Sequence, residues 1–450
     1  MAAAARGLDA DALRAISERV LQFSTADHCR VNIDSGWRGY TRVAINRITS
    51  AGGSEGTSVT ITSVFGKRVA SVNTNQLDDA SLRRAVADSE AMARLAPENP
   101  EYLPELGAQN FAAIAGYYDS TGGLEALTRA EAAAIAIRQA ESAGQIAASF
   151  MDVAAQTSTV ATSNGLFGSH AGTGVAYTLT CRSPDGLQSG WAGDEASDWN
   201  NIESQRIADD AVRKCRNWNK TDLPPGQYTA ILEPTAVGML MLRMLDTFNQ
   251  RPADEGRSYF SRPGGGNRIG ETLFDSRVNI FSDPAWPDAE TAPFTSRGEP
   301  VARQSWVESG RLVELARSRF WAAQQGQTAL PEGTNLIMGG GDDSLETMIA
   351  STERGVLLTR FWYIRGLNPR IVSYTGLSRD GTFLIEDGRI SRPVNNFRFN
   401  QSLTDMLQNV EMIGPAVRVA AAENSSVSTP IVVPALKVRN FNLSSISDGI

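Results

Sequence analysis

Histidine and cysteine are nearly missing from this chain. Its 450 residues include two histidines, His28 and His170, and three cysteines, Cys29, Cys181 and Cys215. Beyond Cys215 there is therefore neither an imidazole nor a thiolate, the ligands that most often hold zinc. The three cysteines are too far apart for a disulfide framework or a CxxC pair, and each reads as a small buried hydrophobe rather than a reactive thiol. No apolar run approaches the ~20 residues of a membrane helix, and Met1–Arg6 lacks the apolar stretch of a secretory signal; a cytoplasmic protein with no membrane partner is expected. A net charge of -8 leaves no general nucleic-acid footprint, and no local basic patch stands out. Internal repeats and long low-complexity tracts are absent as well.

What remains, 42% apolar and 20% charged residues, describes a globular protein whose length suits two domains. Leu13, Ile16, Val20 and Phe23 recur at helical spacing and predict a helix over roughly 9–24. Short alternating runs follow at Val31/Ile33, Val43/Ile45, Val59/Ile61 and Val69. Glycine-bearing connections near Gly36, Gly52-Gly53 and Gly66 suggest an antiparallel meander. Asp78 or Asp79 can cap a second helix that Pro97 and Pro100 end. Thr128-x-x-Glu131 has the form of a capping box for a helix running to about Gly144. Asn164-Gly165 is a hairpin signal because both turn positions favour positive φ. After a helix near 202–216, the polar stretch Asn217–Gly226 places a boundary between domains 1–220 and 221–450.

The second domain opens with a strand, Tyr228–Leu232, and a helix from Pro234, a residue suited to the first helical turn. Residues 262–275 and 282–288 read as loop and turn. Strands then dominate, interrupted by helices near 343–353 and 402–409. Helices set apart from mostly antiparallel strands indicate an α+β fold.

Three segments invite a functional reading. His28-Cys29 is the one His/Cys adjacency, but neighbours on a strand point to opposite faces. Gly339-Gly-Gly-Asp-Asp-Ser344 has the texture of a phosphate loop, yet two aspartates stand where the anion would go, so Asp343-x-x-Glu346 is read as a cap. A hard-cation site on Asp342, Asp343 and Glu346 is the weaker alternative. In Thr359–Arg365, alternation puts Arg360, Trp362 and Ile364 on one face and Phe361, Tyr363 and Arg365 on the other. Aromatics mixed with arginines suit contact with an extended peptide or a partner chain, or else one face is core. Tyr374, Arg379 and Asp380 adjoin this region and share that reading.

Several of these segments resemble the TldD/PmbA family: Gly339–Ile349 with Gly355–Ile364, Tyr374–Val394, Leu403–Val410 and Pro434–Val438, with weaker correspondence in the meander Val31–Val72. The resemblance implies a two-domain fold, N-terminal helices with an antiparallel sheet followed by a C-terminal domain of curved antiparallel sheets. It also implies work as a homodimer or heterodimer around a cavity. Active relatives carry His-Glu-x-x-x-His on the helix after the first strand of the C-terminal domain and a cysteine near the end. In that motif the glutamate and the second histidine stand four apart on one helix face, and the resemblance implies two imidazoles gripping one zinc while the glutamate activates water. Here that helix reads Pro234–Leu245 without His, Cys or acidic residue. The terminal region reads Glu423-Asn-Ser-Ser-Val-Ser-Thr-Pro430, without a thiol. The stripe Val237, Leu240, Met241, Met244, Leu245 and Phe248 is core or, alternatively, an apolar binding wall.

The expectation is a TldE/PmbA-like subunit with no catalytic residues, metal or cofactor of its own. It would pair with a zinc-bearing TldD-like chain, close the cavity and position small or unfolded peptides for degradation or leader removal. Arg360, Trp362, Tyr363, Arg365, Tyr374, Arg379 and Asp380 are the expected peptide or partner contacts. A stand-alone homodimeric peptidase or other enzyme with unrecognised chemistry, and a peptide-binding scaffold, remain the alternatives.

Overall fold

Two sheets organise the chain, one built from each half. The computed structural model describes residues 6–216 and 220–447. Part of the opening segment Met1–Arg6 and of the expected boundary Asn217–Gly226 lies outside the described residues. The first half runs α1 (Ala10–Phe23), β1 (His28–Ala44), β2 (Arg47–Phe65), β3 (Arg68–Thr74), α2 (Asp79–Leu95), α3 (Asp119–Gly122), α4 (Ala126–Ser142), β4 (Ile146–Thr162), β5 (Phe167–Arg182), β6 (Ser189–Ala196) and α5 (Ser204–Lys214). Its strands form one antiparallel sheet in the order β3-β2-β1-β4-β5-β6.

Period-two alternation decides which face of this sheet is covered. Val31, Ile33, Val59 and Ile61 turn to Leu13, Ile16, Val20, Leu82 and Val86 of α1 and α2. Further along, Met151, Val153, Val175 and Tyr177 meet the alanines of α4 and α5. The polar set of β1 takes the opposite face, where Arg38 pairs with Asp152 and Asn32 reaches the carbonyl of Ser296 at 2.8 Å. This second face is the one that meets the other half of the chain.

That half runs β7 (Gly226–Leu232), α6 (Pro234–Leu245), α7 (Gln250–Asp254), β8 (Ile280–Ser282), β9 (Gln304–Glu308), β10 (Arg311–Leu312), α8 (Arg319–Gln325), β11 (Leu336–Met338), α9 (Leu345–Ala350), β12 (Arg354–Asn368), β13 (Ser373–Glu386), β14 (Arg389–Pro393), β15 (Asn396–Ser402), α10 (Leu403–Gln408), β16 (Val410–Arg418) and β17 (Ile431–Ser447). The path β17-β15-β13-β12-β7 returns on itself, because β7 pairs with β12 on one edge and with β17 on the other. Phe361, Phe399 and Phe441 gather from three strands of this ring, with centroids 4.6–5.8 Å apart. α6 packs against the ring, and Gly238 permits the closeness: a Cβ there would lie 2.4 Å from Val419. Among the described residues no helix is long and apolar enough to cross a membrane.

Several local expectations change. The meander has three strands, two of them long, rather than four short ones, for Gly36 and Gly52-Gly53 lie inside β1 and β2. Gly36 marks a close approach, where a Cβ would stand 2.2 Å from the carbonyl oxygen of Ala155. The turn between β1 and β2 instead falls on Ile45-Asn46, both at positive φ. Asn164-Gly165 does connect a hairpin, with positive φ at Gly165 alone of the two. Thr128 is no cap, since α4 begins two residues earlier. Ser344, not Asp343, caps α9, and the Asp343 carboxylate accepts from the amide of Ile413 at 3.1 Å. In the second sheet β7–β12 and β11–β17 are parallel, pairs that alternation alone does not distinguish from antiparallel ones.

Candidate functional site

α6 exists because Pro234 starts it and its apolar residues bury almost all round. Thr235, Ala236, Val237, Met239, Leu240, Met241 and Met244 are all buried, so the helix is core along most of its length. Its donors are thioethers and one hydroxyl, poor partners for a hard or borderline cation. Among the described residues no group of three or more His, Cys, Asp and Glu side chains stands close enough to hold a metal ion.

The polar chemistry lies at the end of α6. Arg243 reaches the Glu423 carboxylate at 3.0 Å, bringing the helix to the segment between β16 and β17. The same carboxylate accepts from the amide of Ile364 at 2.9 Å and of Tyr363 at 3.2 Å. Those two amides are available because β12 is irregular here, with Tyr363 at φ +55 and the register to β13 shifting between Trp362 and Arg365. The break also revises the expected faces: Ile364 joins Phe361 in the core, while Tyr363 is half exposed. Arg365 lies 3.6 Å from Glu423 with its guanidinium over the Tyr363 ring, and the Tyr374 hydroxyl donates to the carbonyl of Arg243 at 3.1 Å.

The remaining expected residues form a second group across β12 and β13. Arg360 and Arg379 flank Asp380, with Trp362 stacked beneath both guanidiniums. Arg182 and Trp191 of the first sheet complete this group. The seven residues singled out from the sequence therefore divide into Tyr363, Arg365 and Tyr374 around Glu423, and Arg360, Trp362, Arg379 and Asp380 at the junction of the two sheets.

Sequence reasoning missed the residues that tie these groups to the first half. The amide of Val427 donates to Asp152 at 2.9 Å, and Asp152 is held by Arg38 through two hydrogen bonds. Ser428 donates to Glu195 through both its amide and its hydroxyl, and Arg418 pairs with Glu195 at 2.7 Å. Burial raises the Glu195 carboxyl above its ordinary range even with Arg418 beside it. One signal was available: Glu423 is the lone charge in a run of hydroxyls. The segment 423–428 thus joins α6, the break in β12 and the polar face of the first sheet. On that sheet a groove of about 600 Å³ is lined by Asp34, Gly36, Arg38, Ser54 and Gln156 among others.

Residues 225–445 match the family model of the PmbA/TldA metallopeptidase C-terminal domain. A protein of Methanothermobacter thermautotrophicus described as a metalloprotease is 24% identical over 241 residues, 48% of this chain and 50% of that protein; the match thus spans half of its length. Among solved structures, TldE from Thermococcus kodakarensis superposes with a TM-score of 0.83 at 17% identity, covering 96% of this chain and 99% of that one. A putative modulator of a DNA gyrase from Thermotoga maritima gives 0.82 at 16% identity, with the same coverage. A putative modulator of DNA gyrase from Bacteroides thetaiotaomicron gives 0.77 at 17% identity, covering 96% of this chain and all of its own, 100%. Likeness at these identities is likeness of fold.

Proposed function

The chain belongs to the TldD/PmbA family, and from that membership we propose that it is the non-catalytic, TldE/PmbA-like partner in a cytoplasmic heterodimeric peptidase. A TldD-like chain supplies the zinc, which activates water for hydrolysis of a peptide bond. This chain closes the cavity and holds small or unfolded peptides in extended form, whether for degradation or for removal of a leader. Its domains are residues 1–220 and 221–450.

One observation carries the reading. Where active relatives place two imidazoles and a carboxylate, α6 has buried apolar side chains, and the segment that would hold the terminal thiolate has Glu423 engaged by Arg243 and two backbone amides. That donor set does not suit a catalytic zinc, which needs about three protein ligands and an open position. The same arrangement leaves the Tyr363 ring and the Arg365 guanidinium exposed at the break in β12, side chains suited to contact with an extended chain.

Reconstitution tests it. Mixed with a zinc-bearing homologue, the chain should co-elute as a pair, carry no stoichiometric zinc of its own, and raise cleavage of an unfolded peptide above that of the homologue alone. A tight zinc in the isolated chain together with cleavage by that chain would overturn the proposal. Self-association without any pairing would point to a peptide-binding scaffold.

A further inference from the structure

Where β6 meets β12 and β13, three guanidiniums surround a single carboxylate. Arg379 lies 3.5 Å from Asp380, Arg360 3.9 Å and Arg182 4.0 Å. These are Coulombic contacts, longer than hydrogen bonds. The Arg360 guanidinium, only 8% exposed, keeps its Nε donor without any hydrogen-bond partner, and that donor is one an anion could satisfy. A buried polar group left unpaired is costly, and more so when it is charged. Within 4.0 Å three guanidiniums face one carboxylate, so positive charge outweighs negative at this spot. Burial pulls the Arg360 guanidinium down to about 10, even with the Asp380 and Glu423 carboxylates acting to keep it charged.

The surroundings favour a carboxylate over a more strongly hydrated anion. Trp191 and Trp362 lie 5.0 and 5.7 Å from the Arg360 guanidinium, giving the site aromatic walls. Arg182 and Arg379 are 30% and 28% exposed and form its open side. Asp380 adopts φ +53, a left-handed conformation that aspartate tolerates better than most residues. Arginine forks match planar carboxylates in a two-bond geometry.

We propose that this cluster is a carboxylate-binding site, which takes either the C terminus or an acidic side chain of the peptide that the chain holds. The inference rests on the peptide-holding reading above and adds the anchor to it. Arg360 and Asp380 are its fixed interior, and Arg182, from the first half of the chain, makes the site dependent on both halves.

The test uses the full chain and three pools of random hexapeptides: free acids and C-terminal amides, both lacking Asp and Glu, and C-terminal amides carrying a single glutamate. Competition against a fluorescent peptide at constant ionic strength should rank the free acids, the glutamate amides, or both at least tenfold tighter than the neutral amides, and which pool gains identifies the source of the carboxylate. Arg379→Gln and Arg182→Gln, both at the open side and so compatible with folding, should each reduce that preference at least fivefold. Equal affinity for all pools would overturn the carboxylate site and leave peptide holding intact, as would a preference that survives both substitutions. Failure of every pool to bind would overturn peptide holding too, while pairing with a zinc-bearing chain, measured by co-elution, would be unaffected.

Discussion

Arg418→Met should expose how strongly the two halves are locked together. Arg418 of β16 and Glu195 of β6 pair at 2.7 Å, with side chains only 7% and 0% exposed. Removing one member of a buried pair typically costs about 3–5 kcal/mol, because the other charge stays buried without compensation. Ser428 still donates twice to the Glu195 carboxylate, which places the expected loss near the lower end, about 3 kcal/mol. Urea unfolding followed by tryptophan fluorescence would measure it. The double variant Arg418→Met/Glu195→Gln, with no charge left to strand, should regain about 2 kcal/mol of that loss.

The pH dependence has a definite sign. Burial raises the Glu195 carboxyl in the folded protein, so the stability linked to this group is full below the ordinary carboxylate range and falls as pH climbs through the raised value. Without Arg418 the folded value rises further. The deficit of Arg418→Met should therefore shrink as pH is lowered from neutral toward the ordinary carboxylate range. A loss under about 1 kcal/mol at neutral pH would refute the reasoning. So would a double variant no more stable than the single one.

Glu423→Ala should cost about 2 kcal/mol, since it strands the amides of Tyr363 and Ile364 together with Arg243, and Glu423→Gln should cost roughly half as much because one oxygen acceptor remains. Urea midpoints would show it, and equal losses for the two variants would contradict the role given to the carboxylate. The three thiols are all buried, and burial pushes Cys29 up to about 11 and Cys181 and Cys215 up to about 12. Thiolate is thus scarce at neutral pH, and a disulfide reagent should modify none of them in the native chain and all of them in urea; rapid modification of the native protein would contradict the packing.

Features set by neighbouring residues could be read directly from the sequence. Pro234 announced the start of α6, Asp78 or Asp79 the cap of α2, which Asp78 makes, and Asn164-Gly165 a hairpin, since each acts within a few bonds of itself. Features set by distant partners could not. Gly36 looked like a turn but is a place where β4 comes close to β1, and that depends on residues more than a hundred positions away. Tyr363 and Ile364 obey alternation until a break turns them, and the carboxylate that receives their amides comes from Glu423. The junction cluster was half legible: Arg360, Trp362, Arg379 and Asp380 stood close together in sequence, while Arg182 and Trp191 belong to another sheet. The segments between Gly339 and Val394 carried the resemblance to the family, but the arrangement of the site required the fold.

The closure of β7 onto β17 bears on how the second half acquires its structure. Ala230 pairs with Val438 and Leu232 with Leu436, so the opening strand of that half finds one of its two neighbours only after some two hundred residues have intervened. Contacts of such sequence separation form late, because the loop must be closed before they return any free energy. During synthesis β7 and the apolar α6 emerge long before β17, leaving an unpaired edge and a greasy helix exposed meanwhile. This half is therefore expected to fold slowly and mainly after synthesis, and to be where a chaperone would engage the nascent chain. The first half also has one distant pairing, β1 with β4, but all its strands are made before β7, so it should already be native by then.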